Sequence, residues 1–452
     1  MNKPAPEEKS ISPGGRSGCV RIPSSKSVAH RMLICAALGE KPVTIELDGL
    51  SQDILATADC LRALGARTEI REGSIRVCPV VRNEAAPEKA ESLPLPVLHA
   101  GESGSTLRFL LPLAGVLGRE AVFETEGRLA ERPLAPLDAA LREHGMHITR
   151  EGRRILCSGK LESGAYSLPG NVSSQFFSGL LMALPLAEGG STLRVQDRLE
   201  SAAYIRLTEQ ALKQAGVELE AQDASGWRIP GGQLPQLPDP VTVEGDWSNA
   251  AFFLAAGALS RQGVRVEGLR RDSAQGDREM LTLLRSFGAN VTEEDAAVIV
   301  RRQECRPLQV DASGIPDLVP VLAVLCCAAE GRSVITGAAR LRLKESDRLQ
   351  TAAELIRSLG GEVRELPDGL QICGSGSLAG GTADAHNDHR IAMSAAVAAC
   401  LCRQPVLLRG ADCVRKSYPA FWRDFEGLAR TALPTGEGSR EPEGNHGGGA
   451  AE

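Results

Sequence analysis

Leu61-Arg62-Ala63-Leu64-Gly65 is one of five copies of a short pattern, the others being Leu141-Arg142-Glu143-His144-Gly145, Leu212-Lys213-Gln214-Ala215-Gly216, Leu284-Arg285-Ser286-Phe287-Gly288 and Ile356-Arg357-Ser358-Leu359-Gly360. In each, an amphipathic helical stretch ends on a Gly and an alternating apolar segment follows, such as Val217-Glu218-Leu219-Glu220 or Ala289-Asn290-Val291-Thr292. Gly is the residue that readily takes the left-handed conformation closing a helix, and period-two alternation beyond it reads as a strand. The separations of 80, 71, 72 and 72 residues are too even for unrelated helices that share a stop signal.

Working outward, the repeat predicts an α/β chain built from six β-α-β-like units. A sixth helix, from Tyr418 to Leu428 with Gly427 inside it, falls near the next expected place, but no strand is visible after it. The strand-like segment Gly18-Cys19-Val20-Arg21-Ile22 has no helix before it and is expected to complete that unit by closing the chain on itself. Two three-unit domains follow: residues 23–240 form a continuous one, residues 1–22 and 241–430 a discontinuous one, and residues 431–452 a disordered tail rich in Gly, Glu and Pro. Pro-containing stretches at Pro23-Ser24-Ser25 and Leu237-Pro238-Asp239-Pro240 mark the crossovers, with a substrate cleft between the halves.

A length of 452 residues favours two cores over one. Lys and Arg total 51 against 57 Asp and Glu, a formal charge of -6, and no basic run is interleaved with aromatics, which argues against nucleic acid. Twelve Cys at irregular spacings form no CxxC framework, as expected of reduced thiols in a cytoplasmic protein. The N-terminus lacks a signal-peptide core and no apolar run reaches spanning length, so no membrane partner is expected.

The chemistry-bearing residues cluster where apolar helices begin. Pro23-Ser24-Ser25-Lys26-Ser27-Val28-Ala29-His30-Arg31 leads into one such helix, and Ala100-Gly101-Glu102-Ser103-Gly104-Ser105-Thr106-Leu107-Arg108 into another, with Gly104 able to admit a ligand close to the backbone. Asn171-Val172-Ser173-Ser174-Gln175 opens a third, Asp317 in Ile315-Pro316-Asp317-Leu318 a fourth, and His386-Asn387-Asp388-His389-Arg390 a fifth. Glu126-Gly127-Arg128-Leu129-Ala130-Glu131-Arg132-Pro133, Leu343-Lys344-Glu345-Ser346-Asp347-Arg348 and Arg415-Lys416-Ser417 add cations suited to carboxylate or phosphate. Each alone is an ordinary cap or a solvated charge. Recurrence at helix N-termini, where free N–H groups and the macrodipole attract anions, points to a site for anionic substrates. Burial is expected to raise the pKa of Asp317 and fit it as a general base. His386 and His389 have no third cluster of ligand spacing, and neither a metal nor another cofactor is expected.

Taken together, Lys26-Ser27-Val28-Ala29-His30-Arg31, Val172-Ser173-Ser174-Gln175-Phe176, Lys344-Glu345-Ser346-Asp347-Arg348-Leu349 and Asn387-Asp388-His389-Arg390 resemble the motifs of the enolpyruvylshikimate-phosphate synthase (3-phosphoshikimate 1-carboxyvinyltransferase) family, with a match running from Lys26 to Pro419. The resemblance implies a monomeric, two-domain inside-out α/β barrel of three βαβαββ repeats per domain, with the active site between them. It implies transfer of the enolpyruvyl group of phosphoenolpyruvate to the 5-hydroxyl of shikimate 3-phosphate, on the route to chorismate and the aromatic amino acids. Phosphoenolpyruvate would then be held by Lys26, Gly104, Arg128, Gln175, Arg348, Arg390 and Lys416, and shikimate 3-phosphate by Ser27, Arg31, Ser173, Ser174, Gln175, Ser201, Tyr204, Asp317 and Lys344. Lys26, Asp317 and Glu345 would be catalytic: Asp317 takes the hydroxyl proton, Glu345 exchanges protons at C3, and Lys26 assists phosphate departure from a tetrahedral ketal. Two positions depart from the family pattern, Glu102 and Arg340, where Asn is usual. The related UDP-N-acetylglucosamine enolpyruvyl transferases open with a Lys-Asn pair and carry a reactive loop Cys, and this chain has Lys26-Ser27 instead. A non-catalytic anion-binding protein would bind phosphate without turnover.

Overall fold

A computed structural model describes residues 7–81, 95–222 and 226–431. The unit predicted by the glycines is clearest between residues 97 and 159. Strand Val97–Gly101 leads through helix Gly104–Val116 to a parallel strand, Ala121–Thr125; helix Leu137–Glu143 then returns the chain to the hairpin Met146–Glu151 and Arg154–Gly159. The second hairpin strand pairs antiparallel with Ala121–Thr125, which places the last-formed strand in the sheet third and its partner fourth.

The same order recurs in the sheets containing Ser191–Val195, Val43–Glu46 and Gly331–Thr336. All five expected glycines are left-handed, with φ of 103° at Gly65, 91° at Gly145, 70° at Gly216, 98° at Gly288 and 82° at Gly360. After four of them the next N–H reaches back five residues, as from Ala66 to Leu61 or from Ala289 to Leu284, closing the helix and turning the chain into the hairpin.

Both chain ends close differently from the sequence expectation. The segment that completes the sixth unit is Glu8–Ile11, antiparallel to Val406–Arg409, rather than Gly18–Ile22. Helix Phe421–Gly427 is followed by the strand Ala429–Thr431, which pairs with Gly15–Ser17, so the strand thought absent exists and Thr431 belongs to it. Residues 18–21 instead lie parallel to Val264–Glu267 and start the fourth unit. One strand, Gly15–Arg21, thus serves two units in succession. The rest of the expected tail, 432–452, lies outside the described residues. Val241–Thr242, expected to open the discontinuous segment, instead pairs parallel with Ile45 and Glu46 and puts Val241 in the core beside that sheet.

Buried apolar residues form two clusters. One runs from Ala29 to Val243, and the other joins Ile11, Val20 and Ile22 to residues from Trp247 to Leu428. Between them the two crossovers run side by side: Ser25 N–H donates to the Glu244 carbonyl at 2.7 Å, and Asp246 N–H to the Pro23 carbonyl at 3.0 Å. Each cluster is centred on three almost wholly buried helices: Lys26–Leu38, Gly104–Val116 and Ser174–Ala183 in one, Trp247–Ala258, Val319–Cys326 and His389–Ala398 in the other. Helices that are apolar on every side belong in a core, whereas their amphipathic neighbours, such as Ala202–Gln214 and Arg348–Ser358, cover the outside. Among the described residues no helix is long and apolar enough to cross a membrane.

Candidate active site

The first residues of all six core helices line one cleft: Lys26 and Ser27, Gly104 and Ser105, Ser174 and Gln175, Ser248, Asp317, and His389 with Arg390. Side-chain caps hold several of these ends, Ser103 accepting from Thr106 N–H, Asp246 from Asn249 N–H and Asp388 from Arg390 N–H. The cap satisfies one N–H and leaves others aimed along the helix axis into the cleft. Eight cationic side chains line it (Lys26, Arg31, Arg108, Arg132, Arg340, Lys344, Arg348 and Arg390) against four carboxylates (Asp53, Asp246, Asp317 and Glu345). Helix ends and side chains therefore favour the same sign of ligand.

Protein carboxylates pair with these cations. Asp317 Oδ1 accepts from Arg348 Nη1 at 2.8 Å, and its Oδ2 from Arg390 Nη2 at 3.0 Å and from the Tyr204 hydroxyl at 2.6 Å. Arg348 also binds Asp388 through Nε at 2.7 Å and Glu345 through Nη2 at 2.7 Å. Lys26 Nζ lies 2.9 Å from Asp53, and Arg132 Nη1 3.7 Å from Glu345.

The expected elevation of the Asp317 pKa does not occur. Burial pushes the carboxyl up, but Arg390, Lys344 and Arg348, helped by the Tyr204 hydrogen bond, hold it far below the ordinary value. Burial likewise opposes ionisation of Glu345, yet Arg348 and Arg132 keep it well below its ordinary range. Lys344 is pulled from its ordinary value to about 8 by burial, with Asp317 and Glu345 offsetting part of the shift.

Opposite, Arg31 spans the helices that open at Lys26 and Ala202, donating to Thr208 Oγ1 at 2.8 Å and to the Tyr204 carbonyl at 2.8 Å. Gln175 is fixed from both ends, accepting from Arg108 Nη1 at 2.8 Å and donating to Ser105 Oγ at 2.9 Å. A Cβ on Gly104 would stand 2.8 Å from the Arg108 guanidinium and 2.9 Å from that of Arg132, so a side chain there would displace both. Ser201, left-handed at φ 53°, ties across to the Ser313 carbonyl through its N–H at 3.2 Å and accepts from Arg340 at 2.8 Å.

Fourteen of the sixteen residues singled out from sequence line this cleft, Ser173, Tyr204 and Lys344 among them. Arg128 and Lys416 do not. Arg128 is 44% exposed and lies 3.9 Å from Glu131. Lys416 lines an adjoining cavity of about 500 Å³ and is bound by Glu102. Arg132 was read from sequence as a cation suited to carboxylate or phosphate but given no ligand role, and Arg108 stood inside a quoted motif without being singled out, although its place one helical turn beyond Gly104 carried a usable signal. Asp53 and Asp246 carried none, since helix caps and first-turn acids look alike wherever they point. His386 lies outside the cleft, 3.0 Å from Glu354, while His389 lines it with neither ring nitrogen hydrogen-bonded.

A sequence model of the EPSP synthase (3-phosphoshikimate 1-carboxyvinyltransferase) family matches residues 12–425. The chain belongs to that family. The 3-phosphoshikimate 1-carboxyvinyltransferase of Clostridium kluyveri is 40% identical over 424 residues, covering 93% of this chain and 96% of its own length. That of Clostridium acetobutylicum is 38% identical over 421 residues, covering 92% and 96%. Among solved structures, an EPSP synthase from Acinetobacter baumannii superposes with a TM-score of 0.76 at 27% identity, covering 94% of this chain and 98% of that one. An enolpyruvyl transferase from Streptomyces tendae shares the fold, with a TM-score of 0.73 at 20% identity.

Proposed function

We propose that the protein transfers the enolpyruvyl group of phosphoenolpyruvate to the 5-hydroxyl of shikimate 3-phosphate and releases phosphate. The observation that carries this reading is the convergence of six helix N-termini and eight cations on one cleft, in a chain of the EPSP synthase family. The described residues 7–22 and 244–431, and those described between 23 and 243, are read as two domains hinged at the paired crossovers. The enzyme is read as a monomer and as cytosolic, the latter in keeping with its twelve free cysteines.

Phosphoenolpyruvate replaces protein carboxylates as the partner of Arg348, Arg390 and Arg132. That exchange offsets the charge of the arginines that suppress the basicity of Asp317 and Glu345. Asp317 then accepts the proton of the 5-hydroxyl as its oxygen bonds to C2, while Glu345, which has taken a proton from solvent once its cations are occupied by substrate, gives that proton to C3. The resulting ketal loses a C3 proton back to Glu345 and expels phosphate, which takes up the proton held by Asp317 and whose remaining charge Lys26 balances after leaving Asp53. Pre-organised donors of this kind supply a large share of catalysis because they need no reorganisation as charge develops.

Phosphate release is expected only when phosphoenolpyruvate and shikimate 3-phosphate are both present. Release with UDP-N-acetylglucosamine as acceptor, and none with shikimate 3-phosphate, would transfer the assignment to the nucleotide-sugar enzymes; binding without release would leave an anion-binding protein.

Lys344 gives a pH signature. Its folded pKa of about 8 lies below the ordinary lysine value, so the cation is present below that pH and lost above it. The KM for shikimate 3-phosphate is expected to rise by up to about tenfold per pH unit above about 8, since each bound proton is linked to one step of affinity. Lys344→Arg should flatten that rise between pH 7 and 9.5. A wild-type profile as flat as the variant's would remove Lys344 from the binding role.

A further inference from the structure

Lys416 faces the cavity beside the cleft and is paired there with an acid. Its Nζ lies 2.7 Å from Glu102 Oε2 and donates to the Asn387 carbonyl at 2.6 Å, while the Asn387 amide donates to both Glu102 oxygens at 3.0 and 3.1 Å. Glu102 stands in the loop before helix Gly104–Val116, whereas Asn387 and Lys416 belong to the other half of the molecule. The lysine side chain is 9% exposed and the glutamate 18%, so water screens the pair only in part. Gly127 makes room for the carboxylate: a Cβ there would come within 2.6 Å of it.

We infer that Glu102 is a positioning residue that sets the affinity for phosphoenolpyruvate by competing with it for Lys416. This rests on the reading of Lys416 as a phosphoenolpyruvate ligand. Glu102 acts through the lysine and touches no reacting atom. An anionic substrate must either break a charge-assisted bond to recruit Lys416 or bind beside a cation already neutralised, and both weaken binding. An asparagine at this position would accept from the ammonium without opposing its charge. The same bond joins the two halves at one end of the cleft, so the competition is felt when Lys416 must turn from Glu102 toward the substrate.

The test compares Glu102→Gln, Lys416→Ala and the double variant by steady-state kinetics, varying each substrate at saturation of the other, with thermal unfolding of each protein as a folding control. Glu102→Gln is expected to lower the KM for phosphoenolpyruvate by about 3–10-fold, the range of a partly screened ion pair, and to leave the KM for shikimate 3-phosphate unchanged. In the Lys416→Ala background the Glu102 change should have no effect on either KM. If Lys416→Ala raises the phosphoenolpyruvate KM but Glu102→Gln leaves it unchanged or raises it, Glu102 does not compete and the inference fails while the ligand reading stands. If Lys416→Ala leaves that KM unchanged, the ligand reading itself fails. A purely structural role for Glu102 would lower the unfolding temperature and disturb both KM values alike.

Discussion

Alanine at Asp317 is expected to lower kcat by about 10²–10⁴-fold, the range lost when a positioned general base is removed. Binding should respond in the opposite sense for one substrate. Asp317 accepts from Arg348 Nη1 and Arg390 Nη2, so its removal frees both guanidinium groups for phosphoenolpyruvate. The dissociation constant of phosphoenolpyruvate, measured by calorimetry in the absence of turnover, should therefore stay the same or fall. Asp317→Asn keeps the size and the hydrogen bond from Tyr204 but cannot take a proton, and should lose kcat to a similar degree. Retained turnover in the asparagine variant would remove Asp317 from proton transfer. Lost turnover with binding weakened in proportion would make it a structural partner of the arginines instead.

The features legible in the sequence are those set by short-range physics. A left-handed turn excludes most side chains, so five glycines at even intervals marked five helix ends. The helices that open at Lys26, Gly104 and Ser174 and the one that follows Asp317 are strongly apolar and belong in a core. The hydroxyls and charges at or just before their first turns are what a core would not tolerate without a purpose.

Long-range pairing was another matter. Glu8–Ile11 shows one buried residue in four, and Val241–Thr242 is only two residues long, so neither announced the sheet it joins. Side-chain direction was equally hidden within one turn of chain. Arg128 lies within the short 3-10 segment Gly127–Ala130 and Arg132 just beyond it, yet the first turns to solvent and the second into the cleft. The ionisation of Asp317 was misjudged because the cations that govern it stand 27, 31 and 73 residues away along the chain, at Lys344, Arg348 and Arg390.

Arg348 is where those distant charges meet, and its loss should cost both activity and stability. Its side chain is 1% exposed and bonds Asp317, Glu345 and Asp388, the last of which also caps helix His389–Ala398. Arg348→Ala leaves three largely buried carboxylates with fewer cations, and breaking a buried pair of this kind destabilises by about 3–5 kcal/mol. Turnover should fall by at least about 10²–10³-fold, as when one donor to a developing charge is deleted. The stability loss has a sign that can be checked. Asp317, Glu345 and Asp388 have folded pKa values below their ordinary ones, so their ionised forms contribute stability above the ordinary carboxylate range and lose it as the pH falls through the folded values. Without Arg348 those values rise, so the gap between wild type and variant in urea unfolding should be widest near pH 7 and narrow as pH falls toward about 4. Arg348→Lys restores one charge but not the fork that serves three acids, and should fall between the two. An unfolding gap independent of pH would mean that the arginine contributes packing rather than charge, and a variant as stable as the wild type would mean that the three acids find other partners.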